Sequence, residues 1–207
     1  MGVSYYERVE VALQSMSSEA CPVRGMMMFE ITDDAEVESA RIIVFTDTAT
    51  KLEQLLGVLA HELGHFIHFN GFGEPVKSSG LTEGLASWAA GRYYLAWHQT
   101  PSLAVSVKRY LAEGRYLPLE NKSRFENAYP DQSDAEDCLS RRDTLYIEWA
   151  AFTKYLIDTY GVSDFKDLLA TSEIALDGGK GMLPNFAQVY GKSLEELEDA
   201  WLKSFGG

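Results

Sequence analysis

The period of the apolar positions changes several times along the chain. Val9, Leu13 and Met16 share one face at helical spacing, which predicts a short helix over residues 4–16. Pro22 and Gly25 break that pattern within residues 20–25. Met26, Met27, Met28, Phe29 and Ile31 then form a short apolar run that reads as a strand. Ala40–Thr46 (ARIIVFT) is the clearest strand: it is β-branched and aromatic, with polar flanks. From Lys51 the period becomes helical. Leu52, Leu55, Leu56, Leu59, Leu63, Phe66 and Ile67 fall on one face of a helix that stops at Gly71, and residues 71–80 read as loop.

Further helices are expected from Thr82 to His98 and over 103–113. Residues 114–142 are polar and hold Pro118 and Pro130, so they read as a long irregular insertion. Asp143–Tyr160 returns to helix, closed by Gly161, and short helices follow over 163–171 and 183–190. The last helix opens with a capping box, Ser193 with Glu196, and carries Leu194, Leu197, Trp201 and Phe205. The expected fold is α+β, mostly α, with a small N-terminal sheet and a helical C-terminal half. It is expected as a single domain over 1–207: an N-terminal part (1–50), a pair of helices (51–98) and a helical subdomain (99–207).

With 207 residues, 46% hydrophobic and 24% charged, the chain can bury a core without disulfides. Its net charge of −13 repels phosphate backbones, which argues against a nucleic-acid partner. Cys21 and Cys138 match neither a metal motif nor a disulfide framework, so two reduced thiols are the simpler reading, with one bridge still open. The first residues are acidic where a signal peptide would be apolar, and no stretch reaches the length of a membrane span. A cytoplasmic location is therefore expected, while a secreted form stripped of its leader is left open. The oligomeric state is not specified.

The candidate chemistry lies in VLAHELGHFIHF, which contains His61-Glu62-x-x-His65. Histidines at i and i+4 on a helix stand one above the other and can grip one Zn²⁺. With His61 at 0°, His65 falls at about 40°, Glu62 at about 100° and the leucine stripe near 180°. That wheel predicts a buried leucine stripe and histidines facing a cleft, with Glu62 at its rim as general base. His68, at about 340°, shares the histidine face and reads as a partly buried histidine.

Two histidines do not complete a catalytic zinc site, which uses three protein ligands and a water. SGLTEGLASWAAGRYY supplies Glu83 early in the next helix, 18 positions after His65. A carboxylate there is either a ligand or a helix-start acid favoured by the dipole. Ser87, Ala90 and Tyr94 lie on the same face of that helix as Glu83.

HELGH followed by LTEGLASW resembles the gluzincin zinc metallopeptidases, most closely their peptidase MA-like members. The likeness extends, more weakly, through Tyr146–Leu169 and FAQVYGKSLEELEDAW. The resemblance implies a zincin-like fold with one Zn²⁺ per chain, held by His61, His65 and Glu83. It implies hydrolysis of peptide or protein substrates, with Glu62 activating water and Tyr146 stabilising the oxyanion; Tyr94 and Arg142 are the next candidates for that last role. It also implies that Ala40–Thr46 is the edge strand that pairs with an extended peptide. No separate amine-binding motif of the kind aminopeptidases use is visible, which points to an endopeptidase. One departure stands out: thermolysin-like gluzincins carry an aspartate one turn after the ligand glutamate, where this chain has Ser87.

Two other readings remain at this level. One is a non-catalytic zinc protein of the same fold acting as an interaction module, with a fourth protein ligand such as His68. The other is a helical protein in which the motif is coincidental.

Overall fold

The computed structural model describes residues 9–14, 24–31, 37–47, 49–72, 79–119, 135–171 and 185–205. Three strands, β1 (Val9–Gln14), β2 (Gly25–Ile31) and β3 (Val37–Phe45), form one sheet in the order β1-β3-β2. Seven helices follow among the described residues: α1 (Leu52–Phe72), α2 (Ser79–Trp97), α3 (Leu103–Ala112), α4 (Ala135–Tyr160), α5 (Val162–Ala170), α6 (Phe186–Tyr190) and α7 (Leu194–Lys203). The described chain is thus mostly helical with a small N-terminal sheet. None of its helices is long and apolar enough to cross a membrane.

The first predicted element is corrected. Residues 9–14 of the expected helix form β1, paired in parallel with β3 from Val9 opposite Ala40 to Gln14 opposite Phe45. VEVALQ alternates apolar and polar, a period-two pattern that β3 templates, whereas the helical face rested on three widely spaced residues. The rest of that expected helix lies outside the described residues.

The role expected for Ala40–Thr46 is also corrected. It is not an edge strand: β3 pairs with β1 on one side and antiparallel with β2 on the other. Ala40, Ile42, Ile43, Val44 and Phe45 are all buried, as a near-continuous apolar run requires of an interior strand. The sheet edges among the described residues are β1 and β2.

Two clusters hold the described residues together. The larger packs α2, α3, α4, α5 and α7 around Leu81, Val107, Trp149, Phe152, Phe165, Leu197 and Trp201. The smaller joins sheet to α1 through Ile42, Val44, Ala49 and Val58, with Leu55 and Leu59 against it. The last helix has the expected capping box: the Glu196 amide donates to Ser193 Oγ at 3.1 Å, and the Ser193 amide to the Glu196 carboxylate at 2.8 Å. Helix α4 begins at Ala135, so residues 135–142 of the expected insertion are helical; residues 120–134 of it lie outside the described residues. Two buried acids pin the stretch that follows α3. The Leu117 amide donates to Glu148 at 3.0 Å, and the Leu119 amide to Glu198 at 2.8 Å.

Helix α1 is buried on the opposite side from the one expected. Leu52, Leu56, Leu63 and Ile67 are exposed, at 66, 39, 38 and 56%. The buried side carries Gly57, Val58, His61, Glu62, Gly64 and His68. The reason is steric. A Cβ on Gly64 would lie 2.6–3.0 Å from the backbone of Ala86 in α2, so the glycine lets the two helices meet along the histidine face. Helix α2 is seated on α4 in the same way: a Cβ on Gly84 would come within 2.7 Å of the Trp149 backbone. At Gly91, with φ 54° and ψ −126°, α2 kinks into a conformation that a side chain disfavours.

Gly64→Ala should therefore lower stability by about 1–3 kcal/mol, since the atoms it meets are backbone and cannot rotate away. Urea denaturation measures the loss, and a midpoint equal to that of the parent would show that the helices are free to separate.

Candidate metal centre

The close approach of α1 and α2 brings Glu83 to the two histidines. His61 Nε2 lies 2.9 Å from Glu83 Oε2 and 3.1 Å from His65 Nε2, and His65 Nε2 lies 3.3 Å from Glu83 Oε2. A tetrahedral ion with ligand bonds of about 2.0–2.1 Å separates its ligand atoms by about 3.3–3.4 Å. The three atoms thus sit near three corners of one coordination tetrahedron, and the donor set of two imidazoles and a carboxylate suits a divalent metal. Among the described residues these are the three side chains grouped so as to hold one.

The second partner of His61 is Ser87. When His61 offers Nε2 to a metal, its proton sits on Nδ1 and is donated to Ser87 Oγ, 3.1 Å away. The position at which the sequence departs from the thermolysin pattern therefore still orients the histidine, with a neutral hydroxyl in place of a charged carboxylate. The His61 ring also packs against two phenols: Tyr146 with centroids 5.4 Å apart and planes at 12°, and Tyr94 at 6.1 Å and 26°. Both come from helices beside α1, and both are buried enough that their phenols stay protonated far above the ordinary tyrosine range.

Glu62 is 5% exposed. Burial raises its carboxyl above the ordinary glutamate value, against the opposing pull of His61 and His65. The amide of Met27 in β2 donates to that carboxylate. Strand β2 passes close over α1, since a Cβ on Gly25 would lie 2.6 Å from Val58 and 3.0 Å from Glu62 Oε1. Burial works against the Glu83 charge too, but His65 and His61 outweigh it and hold that carboxyl well below the usual range. For His65 burial opposes charge and Glu83 wins, so its pKa is raised above 6.5.

The cluster opens into a cavity of about 430 Å³. Its walls come from β2 (Gly25, Met26, Met27), α1 (His61, Glu62, His65, His68), α2 (Thr82, Glu83, Trp97) and α4 (Arg142, Tyr146), with Arg24 just before β2. His68 is 2% exposed and lines this cavity but stands outside the ligand cluster; burial lowers its pKa to about 4. Tyr146 and Arg142 are thus in the cleft wall, and Tyr94 is buried beside His61.

The sequence reading missed Arg24, Met27, Trp97 and Asp143. Arg24 pairs with both carboxylate oxygens of Asp143, at 3.1 Å for Nη2 to Oδ2, and its guanidinium lies 4.9 Å over the Trp97 ring. No local pattern could reveal a pair 119 positions apart. Cys21 lies outside the described residues. No family model matches the chain, and no curated protein and no solved structure was found similar to it.

Removing the hydroxyl in Ser87→Ala should weaken metal binding about tenfold, read by competition against a chromophoric chelator. Unchanged affinity would show that Ser87 does not orient His61. Metal must also displace the proton from His65, whose pKa is raised, so binding is complete above that value and falls as pH drops through it. Below it, affinity should decline by about tenfold per pH unit for that proton, and equilibrium dialysis at pH 8 and pH 5.5 giving equal occupancy would contradict this.

Proposed function

We propose that this protein is a zinc-dependent peptidase of zincin-like fold, akin to the gluzincins. The observation that carries the reading is the convergence of His61, His65 and Glu83 with Glu62 buried beside them, all facing one cavity roofed by a strand edge. Zinc seated there would lower the pKa of a coordinated water to about 7 and polarise the scissile carbonyl.

The chain's own groups supply the rest. Glu62, its basicity increased by burial and its position fixed by the Met27 amide, takes the proton from the attacking water and delivers it to the leaving amine. Tyr146, stacked on His61 and protonated at neutral pH, serves as donor to the carbonyl oxygen as negative charge develops. The β2 edge bordering the cavity, and not β3, offers the main-chain groups along which an extended peptide pairs.

A non-catalytic zinc module is the second reading. A structural zinc site closes with four protein ligands, whereas three converge here among the described residues and His68 stands apart. A buried glutamate with a raised pKa beside the ligands has a use in hydrolysis and none in a closed site.

Glu62→Gln should keep about one zinc per chain, because the ligands are untouched, and lower peptide hydrolysis by about 10²–10⁴-fold. A peptide-library cleavage assay with metal analysis on the same sample decides it. Hydrolysis retained at the parental rate would remove Glu62 as the base.

A further inference from the structure

The leucine stripe of α1 is left exposed by the fold, and it adjoins a second exposed apolar feature on β1. In that strand Gln14 accepts from the Thr46 amide at 3.0 Å, so Gln14, Ala12 and Glu10 turn their main-chain groups to β3. Val9, Val11 and Leu13 turn theirs outward, where no described strand pairs with them. Val11 stands opposite Ile42 and Leu13 opposite Val44, so their side chains lie on the same face of the sheet as those two. Helix α1 packs on that face: Val9, Leu55 and Leu59 belong to one cluster with Ile42, Val44 and Val58. Further along the strand Val11 and Leu13 are 50 and 65% exposed. Leu52, Leu56 and Leu63 lie one turn from Leu55 or Leu59 and carry the apolar surface from the strand on to Ile67.

We propose that this surface is a homodimer interface, built by antiparallel pairing of β1 with β1 of a second copy about a twofold axis. The pairing joins two three-stranded sheets into one, with β1 and its copy at the centre and β2 at both ends. Both α1 helices then stand on the same face of the joined sheet, flanking Val11 and Leu13 of both copies. Residues opposite one another share a face, so the registers that pair nearly the whole strand put the axis at Val11 or at Ala12. Neither register brings Glu10 opposite its copy, and Arg41 already donates to Glu10 at 2.9 Å, so like charges do not meet at the seam. A standard interface covers about 800 Å² on each partner, about two thirds of it apolar between like chains. Val11, Leu13, Leu52, Leu56, Leu63 and Ile67 expose on the order of 500 Å², near the upper limit of what a monomer leaves bare. A second copy supplies the matching strand edge and the matching apolar flank in one contact, as an isologous interface requires. The proposal is independent of the peptidase reading, and it leaves the β2 edge and its cavity on the outer sides of the dimer.

Sedimentation equilibrium of the full chain across a wide range of concentration should show monomers and dimers in exchange. Leu13→Lys should raise the dissociation constant about 30-fold or more and Leu63→Lys about tenfold, with circular dichroism unchanged, while Val105→Lys, at an exposed apolar residue of α3, should leave it within about twofold. The strand pairing is read separately. In a chain whose Cys21 and Cys138 are replaced by serine, either Val11→Cys or Ala12→Cys, whichever sits on the axis, should form an interchain disulfide under mild oxidation. It should do so about tenfold faster than Val105→Cys, because residues opposite across an antiparallel pair lie within disulfide reach. A monomer at every concentration overturns the proposal, and so does a dimer that Leu13→Lys leaves intact. A dimer that cross-links at neither Val11 nor Ala12 overturns it as well, since its contact is then not β1. Should Leu13→Lys fail to fold, the cross-link alone decides.

Discussion

The site depends on how closely α1 and α2 approach. At Gly64 the two backbones meet with no room for a Cβ, because Ala86 occupies the space. That contact fixes the distance between the histidine pair and the carboxylate in the next helix. It also turns the polar face of α1 inward, so that burial acts on His61, Glu62 and His68 instead of on Leu52, Leu56 and Leu63. The raised carboxyl of Glu62 and the depressed one of Glu83 follow from the same burial with different neighbours: one carboxylate is mainly desolvated, the other is gripped by two imidazoles. Two glutamates so placed are suited to different tasks, one to hold a proton and one to hold a cation.

The surroundings of the cluster come from parts of the chain far apart in sequence. Strand β2 supplies the Met27 amide to Glu62, α2 the Ser87 hydroxyl to His61, and α4 the Tyr146 ring that packs on it. The Arg24–Asp143 pair, covered by Trp97, holds β2 and α4 in register over α1. Aligning these walls matters for the proposed hydrolysis, because a carboxylate that is to act on water must be held within hydrogen-bond reach and cannot search for it. Ser87 supports His61 through a dipole and not a full charge.

Much of the centre could be read directly from the chain. The i, i+4 histidines and the intervening Glu62 carry their geometry in their spacing, and Glu83 follows within reach on the next helix. The helices from residue 52 onward and the strands at 26–31 and 40–45 were legible for the same reason: their periods are long enough to declare themselves. The failures are equally local in cause. VEVALQ is too short to distinguish period two from a helical face until β3 pairs with it. The leucines of α1 follow the rule for an amphipathic helix, yet glycine, by its lack of a side chain, decides which face α2 can reach. Ser87 stands in sequence only as a departure, because a hydroxyl does not announce its partner there. The Arg24–Asp143 pair joins two elements by tertiary contact alone, which no periodicity encodes.

The kinship of distant segments also imposes an order in time. During synthesis the three side chains that could hold a metal emerge once α2 is complete, while Arg142, Asp143 and Tyr146 follow only with α4. Until then the Arg24 guanidinium has no Asp143 to grip, and the cleft lacks its far wall. A ribosome-bound chain can therefore assemble the three candidate ligands well before the cavity beside them has its far wall. Assembly of the ligand cluster is separated from completion of the cleft by the linear sequence itself.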